Sequence, residues 1–448
     1  MSKLTRRSFV KKSAMAGLFT GISAKSYRAT FGAEAPSERV RVGMIGVGNQ
    51  GGPKNNLKYF RKNVDAICDL DSKYLAEAAA YLKEEEKRDV SLATDDYRRL
   101  LDSKDLDAVV ITVPDQWHAT MTIEACEAGK DVYCEKPLTL VIDEGRHMVN
   151  AARKHNRIVQ TGSMQRSGKE FHLLMEQLKA GLIGDIKHVN VTLPGPNWID
   201  RVGKPVPDSD PPEGFDFDRW LGPAPVRPYN ANQVHYLFRF YWNYSGGQQT
   251  NFGAHHLDTA QWGLGMDESG PVSIEGTGVF HPEGWYETPD STDINYTYAN
   301  GITMNCKQIP GIKGNKQGTE FVGDKGSVFV WRGGLVPGSP EMLDKMDIPD
   351  PLVRKGDEII LPKEHKRFAN NGHVQNFLEC CKTRATPAAD IEIGHRSATV
   401  CHLGSIAVRT GKKVQWDPKQ EKIVGDAELA KWSTKEYRAP YKFPSVSA

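Results

Sequence analysis

A glycine-rich segment follows the first apolar stretch of the chain and has the spacing of a phosphate-binding loop. Residues 46–51 read Gly-Val-Gly-Asn-Gln-Gly, which is G-x-G-x-x-G directly after the predicted strand 39–45. The first glycine of such a loop permits a tight turn, the second lets the main chain approach a pyrophosphate, and the third lets the next helix pack closely. The residues predicted to hold a dinucleotide here are Gly46, Gly48, Asn49, Gln50 and Gly51.

An acidic residue follows the next apolar segment at the distance that nucleotide-binding folds use. Asp69 ends the predicted strand 64–69 and lies 21 residues beyond Gly48, close to the roughly 20 expected for a carboxylate that binds the adenosine ribose. This carboxylate would accept hydrogen bonds from both ribose hydroxyls and repel a 2′-phosphate. The sequence therefore favours NAD over NADP, although the nearby Arg61 and Lys73 moderate that preference.

Strand and helix patterns alternate through the first third of the chain, which predicts an α/β fold with a doubly wound parallel sheet. Further strands are expected at 107–113, 131–134 and 158–160, and helices at 72–87, 97–101, 119–128 and 143–155. Ligands bind at the carboxyl ends of such strands. The segments that follow strands, and so are expected to line a site, are 46–51, 69, 114–118, 135–137 and 161–166.

The second half has a different pattern, with a strand at 186–193 and a long segment at 194–235 that has little periodicity. Strands are expected at 272–280, 291–298, 301–308, 318–323 and 326–331, and helices at 374–382 and 397–409. Aromatic residues are dense from 198 to 244, and Trp242 is one of them. They either form platforms for carbohydrate rings or pack the long loop.

Three further segments carry a resemblance to a known family. They are Cys134-Glu135-Lys136-Pro137, Val113-Pro114-Asp115-Gln116-Trp117-His118, and the Gly246–Asp258 segment that contains Asn251-Phe252-Gly253-Ala254-His255. With the glycine loop, they resemble the glucose-fructose oxidoreductase / inositol dehydrogenase / MocA (Gfo/Idh/MocA) family over about residues 38–420. Segments 219–225 and 373–377 look like the branch found in exported bacterial proteins.

The resemblance implies a two-part architecture. A Rossmann domain is expected over 38–160, a C-terminal α+β domain with a large, mainly antiparallel sheet over 161–420, and a tail over 421–448. The open face of that sheet forms dimers or tetramers in the family, which predicts a homodimer or homotetramer.

The resemblance also implies roles for individual residues. Lys136 would point at the nicotinamide and the reacting hydroxyl, His255 would be the catalytic histidine, and Asp258 the last acid of its motif. The first acid of that motif is Asn251 here, and an amide orients a neighbour but does not take up a proton. Pro114, His118 and Glu135 are expected near the cofactor, and Trp242 and Asp258 near the substrate.

The residues agree with oxidation of an alcohol. A hydride leaves the carbinol carbon for the nicotinamide while a base takes the hydroxyl proton, and a neutral imidazole such as His255 suits that role. The ammonium of Lys136 would stabilise the developing alkoxide, and Glu135 would hold Lys136 in place. His256 is expected to be structural, and His118 either contacts the nicotinamide region or belongs to a loop.

The N-terminus resembles a twin-arginine export signal over residues 1–35. Arg6 and Arg7 are followed by Phe9 and a weakly apolar stretch, and 33–35 read Ala-Glu-Ala, a small-x-small cleavage pattern. The twin-arginine export machinery is therefore an expected partner, and the periplasm the expected location. This route carries folded proteins, so we expect the cofactor to be exported in place and retained during turnover.

Composition excludes several classes. The net charge of +2 gives no basic excess for nucleic-acid binding. No apolar run reaches the roughly 20 residues of a membrane span, so no stable membrane anchor is expected. The seven cysteines include no C-x-x-C pair, so no metal site is predicted.

Three functions remain open from the sequence. The first is an exported NAD-dependent oxidoreductase acting on a hydroxyl of a sugar, polyol or glycoside. The second is a redox-neutral glycosidase or epimerase that oxidises a hydroxyl transiently and returns the hydride. The third is a sugar-binding protein that retains the cofactor and has lost catalysis at Asn251, against which the presence of Lys136 and His255 argues.

Overall fold

The structure is a computed structural model that describes residues 39–365 and 368–447. The predicted export signal at 1–35 lies outside the described residues.

Six parallel strands form the sheet of the N-terminal half, in the order β3-β2-β1-β4-β5-β6. They are β1 (Val42–Ile45), β2 (Val64–Cys68), β3 (Leu92–Thr94), β4 (Ala108–Ile111), β5 (Asp131–Cys134) and β6 (Val159–Thr161). The predicted doubly wound sheet is confirmed, with β3 as an additional edge strand. The strand order reverses between β1 and β4, where ligands bind in such sheets.

Helices cover both faces of this sheet. They are α1 (Asn56–Phe60), α2 (Ser72–Glu86), α3 (Arg98–Asp102), α4 (His118–Glu127) and α5 (Ile142–Lys154). Val109 and Ile111 of β4 join the core under α4 and α5, whereas Ala108 and Val110 join the core that contains Phe60 of α1. Burial on both faces explains why this segment is continuously apolar rather than alternating.

The C-terminal half contains an eleven-stranded sheet in the order β14-β15-β13-β12-β11-β7-β10-β9-β8-β16-β17. Its strands are β7 (Ile186–Pro194), β8 (Ser273–Val279), β9 (Ser291–Thr297), β10 (Thr303–Ile309), β11 (Gly318–Gly323), β12 (Gly326–Trp331), β13 (Gly334–Pro337), β14 (Val353–Lys355), β15 (Glu358–Ile360), β16 (Val414–Asp417) and β17 (Lys422–Val424). β7 and β10 pair in parallel and the other described pairs are antiparallel, so the predicted large, mainly antiparallel sheet is confirmed. β17 belongs to the segment expected as a tail, yet it extends the sheet.

The helices of this half bring polar side chains to the first sheet. They are α6 (Lys169–Lys179), α7 (Trp198–Val202), α8 (Phe217–Leu221), α9 (Gly247–Asn251), α10 (Gly253–Gly263), α11 (Pro340–Leu343), α12 (Phe368–Thr383), α13 (Ile391–Thr410) and α14 (Ala427–Ala430). Asn251 is the last residue of α9, and His255 lies in the first turn of α10.

Helix α13 connects the two cores. Ile391 and Ala398 pack into the core of the first sheet, whereas Leu403 and Ile406 pack into the core of the second. Phe377 of α12 lies edge-on to Tyr133 of β5, with ring centroids 5.8 Å apart. These shared contacts hold the second half against the first, so residues from both reach one cavity.

Within the described ranges, no helix has the length and apolar character needed to cross a membrane.

Candidate active site

A cavity opens at the carboxyl ends of β1, β2, β4 and β5, with its outer wall formed by residues between 215 and 251. The sequence-predicted residues that line it are Gly46, Gly48, Asn49, Gln50, Asp69, Pro114, Glu135, Lys136 and Asn251. The predicted residues outside its lining are Gly51, His118, Trp242, His255 and Asp258. The structure thus brings the predicted cofactor loop and Lys136 together.

The glycine loop has the close approaches that only glycine permits. Gly46 has φ +82°, and a Cβ there would lie 2.7 Å from the carbonyl oxygen of Thr112. A Cβ on Gly51 would lie 1.9 Å from the carbonyl oxygen of Gly46. Gly51 therefore lies under the loop, where the absence of a side chain lets the chain pass close to Gly46. Gly48 instead faces the cavity beside Tyr74.

The helix after the loop differs from the expectation. The sequence predicts a helix that packs directly after the loop, but α1 begins at Asn56, and the segment between the loop and the helix forms turns. The Asn55 side chain donates to the carbonyl oxygen of Asn49 at 2.8 Å. Local side-chain bonds of this kind compete with helical bonds and favour turns.

Asp69 occupies the position predicted for a ribose-binding acid. Its Oδ2 accepts a hydrogen bond from the backbone N–H of Val47 at 2.7 Å, and its Oδ1 accepts one from the N–H of Asp71 at 2.9 Å. Burial raises its pKa to about 6. The carboxylate is therefore tied to the glycine loop and faces the same cavity.

Two arginines that sequence reasoning did not single out also line this end of the cavity. Arg219 pairs with Asp95 at 2.5 Å and Asp216 at 2.7 Å, and Arg98 pairs with Glu124 at 2.9 Å. Because these guanidinium groups already have carboxylate partners, they do not provide a free charge for a 2′-phosphate. Arg61 is likewise bound to Glu86 at 2.8 Å.

Lys136 follows β5 and reaches across to the second half of the chain. Its Nζ donates to the Asn251 side-chain oxygen at 2.7 Å and is 3.3 Å from the Asn251 carbonyl oxygen. Burial lowers its pKa to about 8. Glu135 accepts from Asn56 at 2.9 Å and from the backbone N–H of Lys136 at 3.2 Å, so it fixes the main chain while Asn251 holds the ammonium.

Asn251 contacts Lys136 rather than the histidine. Its Nδ2 donates to Gln248 at 2.8 Å, which orients the amide so that its oxygen faces Lys136. A carboxylate here would stabilise the charged lysine, whereas a neutral amide leaves the lowered pKa in place. We therefore expect the residue type at position 251 to change the pKa of Lys136.

His255 lies near the start of α10 and is buried. Its Nδ1 has no hydrogen-bond partner among the described residues. Burial, followed by the positive charges of Arg332 and Lys136, lowers its pKa well below the ordinary value. The imidazole is therefore neutral and forms a cation with difficulty, which makes Lys136 the better proton acceptor of the two.

His118 is placed behind the cavity. Its ring nitrogens lie 2.8 Å from the carbonyl oxygen of Pro137 and 3.0 Å from that of Val113. Burial lowers its pKa to about 4. The side chain thus connects the loops that follow β4 and β5, instead of pointing at a cofactor as expected.

Asp258 and Trp242 also differ from the expected substrate contacts. Asp258 is buried in an ion pair with Arg166 at 2.9 Å and accepts from the Ser397 hydroxyl at 2.6 Å. Trp242 lies in a separate cavity, where its ring centroid is 4.2 Å from the guanidinium carbon of Arg409. Both residues stabilise packing between elements.

The structure adds four polar side chains that sequence reasoning missed. Ser245 donates to Asp115 at 2.5 Å inside the cavity, and burial raises the Asp115 pKa to about 7. Arg239 lines the cavity, and Arg332 lies on the turn between β12 and β13. Asp115 falls in a predicted site segment, but nothing in the sequence marks the other three.

The aromatic residues of the long segment pack mainly against one another. Tyr229, Tyr244 and Trp198 belong to one buried cluster, whereas Trp220, Phe215 and Phe238 of that cluster also line the cavity. Packing of the long loop is therefore confirmed for this cluster, and a platform for carbohydrate rings stays a prediction for the three residues that line the cavity.

The cavity fits NAD. A glycine loop that a Cβ would obstruct lies beside a carboxylate suited to a ribose, and Lys136 lies at the end of β5 in the same cavity. Within 39–365 and 368–447, no group of three or more side chains is arranged to hold a metal ion.

Comparisons with known proteins identify two family models. Residues 40–163 match the oxidoreductase family model for the NAD-binding Rossmann fold, and residues 174–443 match the oxidoreductase family model for the C-terminal alpha/beta domain.

Among curated proteins, the chain is similar to a glycosyl hydrolase family 109 protein of Shewanella sp. strain W3-18-1. The two are 30% identical over 208 residues, which cover 42% of this chain and 45% of that protein. The match thus spans about half the length of that relative.

Solved structures show the same fold. A levoglucosan dehydrogenase in complex with NADH and levoglucosan has a TM-score of 0.62 at 17% identity, covering 84% of this chain and 99% of that one. Aldose-aldose oxidoreductase from Caulobacter crescentus has a TM-score of 0.61 at 17% identity, with the same coverage.

Proposed function

We propose that this chain, which belongs to the Gfo/Idh/MocA oxidoreductase family and has an NAD-binding Rossmann domain, is an NAD(P)-dependent oxidoreductase. It acts on a hydroxyl of a sugar, polyol or glycoside and keeps its cofactor bound through successive turnovers. The observation that carries the proposal is the Lys136–Asn251 hydrogen bond of 2.7 Å, in the cavity that also contains the glycine loop.

The residues have separate tasks in this reaction. When bound, NAD supplies a carbon that accepts a hydride from the carbinol carbon of the substrate. Gly46 and Gly48 would leave room for the pyrophosphate, and Asp69 would bind the ribose. Lys136, with a pKa of about 8, is partly neutral near neutral pH and accepts the hydroxyl proton at Nζ.

A panel of sugars, polyols and glycosides tests this function. The expected result is a rise in the absorbance of reduced nicotinamide with at least one member. Lys136→Ala should lose about 10²- to 10⁴-fold in turnover, the contribution typical of general acid–base groups. Lys187→Met, an exposed position on β7, is the matched control and should leave turnover unchanged.

His255→Ala separates two readings of the histidine. If His255 is the base, its loss should match that of Lys136→Ala; if it supports the lysine, the loss should be smaller and the pH profile should keep its form. Losses below tenfold in both variants, with NAD still bound, would overturn the proposed chemistry.

A redox-neutral glycosidase is the second candidate. It is favoured by the relative named for glycosyl hydrolase family 109, which is 30% identical over the matched region. Release of an aglycone without net cofactor reduction would favour it over the oxidoreductase. Both activities need the same first hydride transfer, so Lys136→Ala should abolish either one.

We also propose export by the twin-arginine route with NAD already bound. Arg6 and Arg7 support the twin-arginine route. The scarcity of free NAD outside the cytoplasmic membrane supports export with the cofactor already bound. Protein recovered from the periplasm should contain near-stoichiometric NAD and turn over without added NAD. Equal export after both arginines are changed to Lys would contradict the route, and an empty protein would contradict cofactor retention.

Self-association through the second sheet is a further part of the proposal. Val279 of β8 and Ile309 of β10 are exposed, at 64% and 38% of their surface. A homodimer or homotetramer that buries them should appear in light scattering, and Val279→Glu should weaken it. A monomer at all concentrations would reject this part.

A further inference from the structure

Two positive side chains line the part of the cavity where the substrate is expected, and a third lies outside its lining. Lys136 and Arg239 both line the cavity. Arg332 approaches from the second sheet, where its Nε donates to Gln165 at 2.9 Å, and the Gln165 amide donates to the carbonyl oxygen of His255 at 3.2 Å. The three cations come from separate parts of the chain, and the charges of both arginines help to lower the pKa of Lys136.

Neither arginine forms an ion pair with any carboxylate among the described residues. The one hydrogen bond of the Arg239 guanidinium is to the carbonyl oxygen of Tyr236 at 2.7 Å, and the group lies over the rings of Tyr236 and Phe238. Among the described residues, the one hydrogen bond of Arg332 is to Gln165, and Arg332 is also exposed to solvent. Most N–H donors of the two arginines therefore have no partner in the described part of the protein.

Several buried or partly buried arginines of the described residues are paired with carboxylates, whereas Arg157 has only carbonyl partners. Arg166 pairs with Asp258 and with Asp267, at 2.9 and 2.6 Å, and Arg146 pairs with Glu392 and Glu421. An enclosed cation without a partner is unfavourable, and a guanidinium presents donors matched to carboxylate and phosphate oxygens.

The electrostatics agree with this contrast. Burial lowers the pKa of the paired Arg166, but its carboxylate partners outweigh burial and raise that pKa above the ordinary value. Desolvation instead lowers the pKa of the half-buried Arg239, whereas Arg332 is exposed to solvent. Arg239 is therefore the enclosed cation without a carboxylate partner among the described residues.

The two carboxylates in this part of the cavity already have partners. Glu135 accepts from Asn56 at 2.9 Å, and Asp115 accepts from Ser245 at 2.5 Å. With its pKa raised to about 7 by burial, Asp115 carries only part of a negative charge near neutral pH. Both partners, Asn56 and Ser245, are neutral, so Glu135 offsets part of the positive charge, as does Glu170 near Arg332. Neither of the two cavity carboxylates forms an ion pair with Arg239 or Arg332 among the described residues.

We propose that the substrate carries an oxyanion, such as the carboxylate of an acidic sugar or the phosphate of a sugar phosphate, and that Arg239 binds it with Arg332 on a second side. This inference rests on the proposed function and names the substrate class of the same site. The hydroxyl to be oxidised would lie at Lys136, between the two guanidinium groups.

Matched pairs of sugars test the inference on the NAD-loaded protein. Glucose, glucuronate and glucose 6-phosphate form one set and the galactose equivalents another, with binding measured by calorimetry. The acidic member of at least one set should bind at least tenfold more tightly than its neutral partner, and the carboxylate and phosphate arms identify the source of the oxyanion. Higher salt should weaken that preference.

Arg239→Met keeps the aliphatic stem and removes the charge. It should weaken binding of the acidic sugar about tenfold to a hundredfold while changing binding of the neutral sugar little. Arg227→Met is the matched control, because Arg227 lies in the same region but pairs with Glu287 at 3.3 Å. If Arg239→Met does not fold, Arg239→Lys and Arg332→Met should each reduce the acidic preference.

The outcomes are distinguishable. Oxidation of neutral sugars with no acidic preference would overturn this inference and leave the proposed function standing. Failure of every sugar to bind or react would overturn both. Loss of NAD affinity in Arg239→Met without a change in sugar preference would assign the guanidinium to the cofactor and overturn the inference.

Discussion

Replacing Asn251 by aspartate tests whether the amide sets the protonation of Lys136. The change places a negative charge where the amide oxygen now lies, 2.7 Å from Nζ. Two unit charges about 4 Å apart interact by about 4 kcal/mol at an effective dielectric constant of 20. An opposite charge at such a distance moves a pKa by about 1 to 3 units. The pKa of Lys136 should therefore rise from about 8 into the range of roughly 9 to 11.

The kinetic consequence follows from the neutral fraction. At pH 7.5 the neutral form of Lys136 should fall from roughly a quarter to about 3% or less. If neutral Lys136 accepts the substrate proton, kcat/KM at that pH should fall by roughly eightfold or more and recover as the pH is raised. The rising limb of the pH profile should move to higher pH by at least about one unit.

The pKa of Lys136 can be measured without a substrate. The pH dependence of its reaction with an amine-reactive reagent, followed by peptide mass spectrometry, gives the value directly. Asn300→Asp is the control, because Asn300 is exposed and an aspartate oxygen can replace its bond to the N–H of Ile302. An unchanged Lys136 pKa in Asn251→Asp would refute the assigned role of the amide.

Three further changes have defined outcomes. Asp69→Ser should weaken NAD binding and reduce the preference over NADP, as measured by titration of the apoprotein; tighter NADP binding by the unmodified protein would contradict the assignment. Gly51→Ala should abolish NAD binding, because its Cβ would lie 1.9 Å from the carbonyl oxygen of Gly46, and retained affinity would show that the loop can shift. Asp258→Asn breaks a buried ion pair with Arg166. It should lower the free energy of unfolding in urea by up to about 3 to 5 kcal/mol. Asp267 remains as a partner of Arg166 and reduces this loss. Unchanged stability would mean that this second carboxylate suffices.

Local patterns in the sequence determine the first sheet and the cofactor end of the site. A strand buried on both faces is continuously apolar, and a glycine loop must follow it directly, so both features are visible in consecutive residues. Lys136 and Asp69 could be predicted for the same reason, because each comes directly after a strand. The strands of the second sheet were also predictable wherever alternation was clear, whereas the short strands β13 to β15 were not, since three or four residues carry too little periodicity.

Only the tertiary structure decided which side chains meet Lys136. Asn251, Arg239 and Arg332 lie more than a hundred residues beyond it, and their approach depends on α9, on the turn His235–Phe240 and on the β12–β13 turn. The same is true of His118 and Asp258, whose types suggested ligand contacts. Folding instead gave His118 two main-chain carbonyls and gave Asp258 the guanidinium of Arg166. Residue type states what a side chain can bind, but the partners that satisfy its charge and hydrogen bonds come from distant segments, and these are set by how the two sheets pack.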